Sequence, residues 1–142
     1  GEIILSKMGD PVARGCLVPG VDERFVMCSD GIRLSVNVEK FDTNFVLLMI
    51  NHNDFRKAAE NASTGSTRKR IGLTELRTLT INCPKFSEQK TISSIIVNMN
   101  AEITALEKRL EKAKAIKQGM MQQLLTGKIR LVEPQTSQEV SA

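Results

Sequence analysis

The chain has 142 residues, 41% of them apolar and 25% charged, and a formal net charge of +4. That suits one globular domain with an appendage, leaves no material for a second full core, and is compatible with a polyanionic partner without requiring one. Cys16, Cys28 and Cys83 have neither the close spacing of a zinc site nor the even count of a disulfide framework, and the apolar run "FVLLMI" (45–50) is far too short to span a bilayer, so a reducing, cytoplasmic setting is expected.

The first half reads as small α/β structure. "EIIL" (2–5), "GCLV" (15–18), "FVMC" (25–28) and "IRLSV" (32–36) are short apolar or alternating runs, separated by Gly9, Pro11, Pro19, Gly20 and Gly31. These are strand and turn signals. After Asn37 the pattern changes: Asp42 or Thr43 caps a helix carrying Phe45, Leu48 and Met49, and a second helical segment follows through Phe55, Ala58 and Ala59. Both helices are expected to pack on the strands.

Next comes "STGSTRKRIG" (63–72), in which hydroxyls and Gly65 precede Arg68, Lys69 and Arg70. A basic triplet among small, flexible residues adds nothing to a core; it is a solvated loop or a grip on an anion. In "LRTLTIN" (76–82), Leu76, Leu79 and Ile81 alternate with threonine and predict a strand, ended by Cys83-Pro84.

From Ser87 to Thr126 the chain is free of proline, rich in Ala, Glu, Lys, Gln and Leu, and interrupted by a single glycine, Gly119. This predicts one long helix, with Ser87 as N-cap, Glu88 favourable in the first turn and Gly127 ending it in the left-handed conformation. Its apolar positions, Ile92, Ile96, Met99, Ile103, Leu106, Leu110 and Ala113, then Lys117, Met120 and Leu124, alternate steps of four and three. That is heptad spacing, a narrower seam than a core helix presents, and it calls for a second long helix alongside. Lys117 at a seam position and Gly119 beyond it either fix the register or mark where pairing stops.

Catalytic readings fail on particular residues. "NCPK" (82–85) differs from the Asn-Pro-Pro-aromatic motif of adenine methyltransferases at Cys83 and Lys85, and no glycine-rich cofactor loop accompanies it. "LTGKI" (125–129) has the Gly-Lys pair of a phosphate-binding loop, but Ile129 stands where a hydroxyl must reach magnesium. His52, the only histidine, reads as a helix-surface residue, and Asp10, Asp22, Glu23 and Asp30 sit near turns, where aspartate bonds its own backbone. The expectation is a non-catalytic chain with no metal and no cofactor.

Two segments carry a family resemblance. "STGSTRKRIGLTELRTLTINCPKFSEQKTISSII" followed by "EITALEKRLEKAKAIKQGMMQQLLTGKIRL" resembles the end of a target-recognition domain and the helix that follows it in specificity (S) subunits of type I restriction-modification systems. "GEIILSKMGDPVARGCLVP" and "FDTNFVLLMINHNDFRKAA" also look like stretches of those domains, so the resemblance covers nearly the whole chain.

The resemblance implies an α+β fold: residues 1–86 as the C-terminal part of a DNA target-recognition domain, 87–127 as a long helix in an antiparallel coiled coil, and 128–142 as a polar tail. It also implies a module that reads one half of a split target on double-stranded DNA. Methylation would then belong to associated M subunits and ATP-dependent cleavage to R subunits. The partner helix would come from the rest of a longer S subunit or from a second copy.

On that reading Ser63, Thr64, Gly65, Ser66, Thr67, Arg68, Lys69 and Arg70 grip DNA through hydroxyls, backbone N–H groups and charge, with Lys7 and Arg14 as secondary contacts. The 4% aromatic content, with no Trp or Tyr, argues against a stacking platform for single strands. Two alternatives stay open: an assembly module whose globular half never meets DNA, and a half-subunit that homodimerises on a palindromic target.

Overall fold

The computed structural model describes residues 2–20, 25–27 and 29–132. In chain order these form β1 (Ile3–Ser6), β2 (Gly15–Leu17), β3 (Gly31–Leu34), α1 (Thr43–Asn51), α2 (Asn53–Asn61), α3 (Leu73–Thr78) and α4 (Phe86–Leu125). The chain is α+β and divides into two units, Gly1–Asn98 and Met99–Ala142.

In the first unit β1 is the centre of a three-stranded antiparallel sheet of order β2-β1-β3, with Ile3 opposite both Leu17 and Leu34. Alternation along β1 sends Ile3 and Leu5 to one face, where both are buried with Val46 and Ile50 of α1. Gly15 lets β2 come close to α1, because a Cβ there would sit 3.2 Å from both the Leu47 and Ile50 side chains. The amide of Asn51 completes that contact, its Oδ1 accepting from the Gly15 N–H and its Nδ2 donating to the Gly15 carbonyl, both at 3.0 Å. A second cluster joins Val12, Ala13, Ala59 and Ile71, with Phe55 and Leu76 packed against both.

The helix boundaries follow from their caps. Asp42 accepts from the Phe45 N–H at 2.8 Å and opens α1, as expected for an N-cap carboxylate. His52 ends α1 and opens α2, its Nδ1 accepting from the Asp54 N–H at 3.4 Å. This exposed capping position accounts for the sole histidine.

Three expectations are corrected. "LRTLTIN" (76–82) is not a strand: Leu73–Thr78 is α3, and the chain continues without regular structure to Lys85. Leu76, Leu79 and Ile81 reach the core from a helical turn and the segment after it, so core contact overrides the strand preference of the threonines. "FVMC" (25–28) does not form a strand over its described part, since Phe25, Val26 and Met27 have no ladder partner and are exposed; Cys28 lies outside the described residues. Ser87 is not the N-cap of the long helix, which begins at Phe86.

The start of α4 is held by Gln89, buried to 2% exposure, whose Oε1 accepts from the Asp42 N–H at 3.0 Å while its Nε2 donates to the Pro84 carbonyl at 2.8 Å. The helix runs 40 residues, about 60 Å at 1.5 Å per residue. Gly127, at φ +71°, closes it in the left-handed region, its N–H donating to the Leu124 carbonyl.

Candidate nucleic-acid interface

The basic stretch is a closed loop. Thr64 and Arg70 exchange both backbone hydrogen bonds at 2.8 Å, so residues 65–69 form its tip. Gly65 sits at φ +104°, and a Cβ there would lie 2.6 Å from the Arg68 carbonyl oxygen. Only glycine fits, because the tip folds onto itself. The close approach expected of Gly65 is thus made first to its own loop.

The loop docks beyond the end of β1. Met8 bridges Arg70, the Gly9 N–H donates to the Lys69 carbonyl at 3.2 Å, and the Ile71 N–H donates to the Lys7 carbonyl at 3.0 Å. Arg14 belongs to the same end, its carbonyl accepting from the Ser6 N–H at 2.9 Å and its own N–H donating to Ser6 Oγ. The fold therefore brings Lys7, Arg14 and the 63–70 loop together although they are distant in sequence.

The cations are not equivalent. Lys69 is paired with Glu60, and Arg70 with Asp30. The Lys69 hydrogen bond and charge hold the Glu60 carboxyl below the usual glutamate range. Arg68, Lys7 and Arg14 have no ion pair among the described residues. Arg68 is exposed and borders a cleft of about 420 Å³ lined by Met8, Gly9, Asp10, Ser66, Thr67 and Lys69. Hydroxyls, backbone N–H groups and an uncommitted guanidinium suit a phosphate, while Asp10 opposes one.

The sequence reading missed Asp30 and Glu60, which neutralise two members of the triplet, and the 8–10 wall of the cleft. A larger cavity of about 800 Å³ is lined mainly by core side chains, including Leu5, Ile32, Val46, Ile50, Phe55 and Leu76. Its apolar lining offers little to a polyanion.

Along α4 the seam residues Ile92, Met99, Ile103, Leu106, Leu110, Ala113, Lys117 and Met120 are exposed in the isolated chain, and Ile96 and Leu124 are half-buried. Leu106, at 57%, and Leu110, at 54%, are the measure of how little this face is covered.

Residues 21–118 match the model of the type I restriction modification DNA specificity domain. The chain belongs to this specificity family. It is 26% identical over 135 residues to the type I restriction enzyme MjaVIII specificity subunit of Methanocaldococcus jannaschii, covering 92% of this chain and 32% of that protein. A protein of the same organism assigned provisionally as the MjaX specificity subunit is 26% identical over 132 residues, covering 89% and 30%. This member of the family thus spans about a third of the length of the curated relatives it matches. No solved structure matches it. Among the described residues no helix is long and apolar enough to cross a membrane.

Proposed function

We propose that this chain is a non-catalytic DNA-reading part of a type I specificity subunit, working in the cytoplasm. Residues 1–86 contact one half of a split duplex target, residues 87–127 pair antiparallel with another long helix, and M subunits, with R subunits through them, assemble on the whole. The observation that carries the reading is the family match over residues 21–118. It is supported by the cleft at the tip of the 63–70 loop, which Arg68 and Lys69 line together with Ser66, Thr67 and Asp10.

Within the loop the roles divide. Arg68 is the contact with DNA, while Lys69 and Arg70 shape the loop through Glu60 and Asp30. Two wet, exposed ion pairs of this kind contribute little stability, so DNA phosphates can still compete for the same cations at low salt.

Fluorescence anisotropy with labelled duplex DNA over a range of salt tests this. Binding weakens as salt rises, and Arg68→Ala lowers affinity and reduces the salt slope by about one unit. Duplex binding that is indifferent to salt and to Arg68 refutes DNA contact by this loop. An assembly module that never meets DNA predicts no duplex binding at any salt concentration.

A further inference from the structure

We infer that Asp10 is a base-reading residue, accepting a hydrogen bond from the N4 amino group of a cytosine in the major groove while Arg68 holds the adjoining backbone. The inference deepens the reading of the 63–70 loop as a DNA contact and rests on it. It starts from a carboxylate with no structural task.

Asp10 lies in the turn between β1 and β2, where an aspartate ordinarily bonds neighbouring backbone. Here it does not. Asp10 is exposed, and its carboxylate has neither a hydrogen bond nor an ion pair among the described residues, although Arg68 and Lys69 line the same cleft. Lys69 is taken by Glu60, and Arg68 is left open.

The turn is held on both sides of Asp10. The Gly9 N–H donates to the Lys69 carbonyl at 3.2 Å, the Ala13 N–H donates to the Ser6 carbonyl at 2.9 Å, and Val12 and Ala13 are buried in the second core cluster. A side chain carried on a fixed turn keeps its place, which reading a base requires.

A cleft for phosphate alone has no use for a carboxylate. Ser66, Thr67 and Arg68 suit phosphate oxygens, whereas a negative charge in the same cleft repels them and lowers affinity for DNA of any sequence. An ionised carboxylate accepts and never donates, so on a duplex it engages the base amino groups: N4 of cytosine and N6 of adenine in the major groove, and N2 of guanine in the minor groove.

Width selects the groove. Met8 bridges Arg70 and Arg70 bridges Thr64, so three chain segments lie side by side at this tip, about 4.8 Å apart as in any ladder. A minor groove about 6 Å wide does not admit them, while the major groove, about 12 Å wide, takes a two-stranded ribbon such as the 8–10 turn beside residues 68–70. Between the two major-groove amines the neighbouring atom decides. Adenine carries its N7 acceptor beside the amino group and so repels a carboxylate, whereas cytosine offers the donor alone.

Selection from random duplexes tests this with the whole chain as wild type, Asp10→Ala and Asp10→Asn, followed by anisotropy on the recovered motif and its single-base variants. The wild type prefers cytosine at one position by roughly 5- to 100-fold, the range for one mismatch in a specific site. Asp10→Ala loses the preference at that position alone, and binds the other three bases there at least as tightly as the wild type because the repelling charge is gone. Asp10→Asn turns the same position toward adenine, whose N6 and N7 match a carboxamide. Arg68→Ala, lacking a phosphate contact, weakens every sequence alike and leaves the cytosine in place.

A motif unchanged in Asp10→Ala, with affinity raised for every duplex by the same factor, overturns the assignment and leaves Asp10 as a repelling charge. Changes at several positions at once also overturn it, since a distorted turn and not one lost contact gives that result. In both cases the wild type still enriches a motif, so DNA reading stands. A wild type that enriches none removes DNA reading itself, and the role of Asp10 with it.

Discussion

Replacing Gly65 with alanine is expected to open the basic loop while leaving the core intact. At φ +104° an L side chain is strained whatever the space around it, and residues held in such regions cost about 1–3 kcal/mol. The new Cβ would also lie 2.6 Å from the Arg68 carbonyl oxygen, a backbone atom that no rotamer change can remove. The cost therefore falls at the upper end of that range, about 3 kcal/mol if the loop keeps its shape. The cheaper escape is to break the paired Thr64 and Arg70 hydrogen bonds. Amide exchange followed by NMR separates the two outcomes, and it needs none of the Trp or Tyr fluorescence that the chain lacks. Protection at Thr64, Arg70 and Gly9 is lost, the amides of β1 and α1 stay protected, and duplex affinity falls with the loop. Unchanged protection at Thr64 and Arg70 with an unchanged melting temperature would refute the claim that the loop tip folds onto itself.

Three further outcomes follow from individual contacts. Gln89→Leu leaves the Asp42 N–H and the Pro84 carbonyl without their partner, costing about 1–3 kcal/mol for each group, read as a lower urea midpoint. Gly119→Ala meets nothing within 4 Å and raises α4 stability by about 1 kcal/mol, seen as greater helicity by circular dichroism. Lys69→Met removes the hydrogen bond that lowers the Glu60 pKa, so a carboxyl titration by NMR moves up toward the ordinary glutamate range. In the native chain the Glu60–Lys69 interaction is present above the unfolded glutamate pKa and is lost as pH falls through the depressed folded value.

What the residues disclosed in advance depended on range. Period and capping are local, so β1, β3, α1, α2 and the long helix were legible from Ile3 and Leu5, from Asp42, and from the heptads ending at Gly127. The segment after the basic loop was not, because Leu76, Leu79 and Ile81 suit either a strand or a helical turn and only the two core clusters decide between them. The loop's position was legible but its electrostatics were not. Asp30 is 40 residues from Arg70, Glu60 is nine from Lys69, and neither separation carries a pattern in the chain. Gln89 illustrates the same limit, since an ordinary polar residue in a helix becomes a buried clamp only once Asp42 and Pro84 are beside it.

Sequence reading of duplex DNA is the claim on which the account rests, and selection from a pool of random duplexes by the whole chain tests it directly. The account predicts enrichment of a defined short motif, with the same motif recovered at lower yield by Arg68→Ala, since loss of a phosphate contact weakens binding without changing the sequence read. Recovery of a pool with the base composition and word frequencies of the input, under salt conditions where the chain binds, would contradict it.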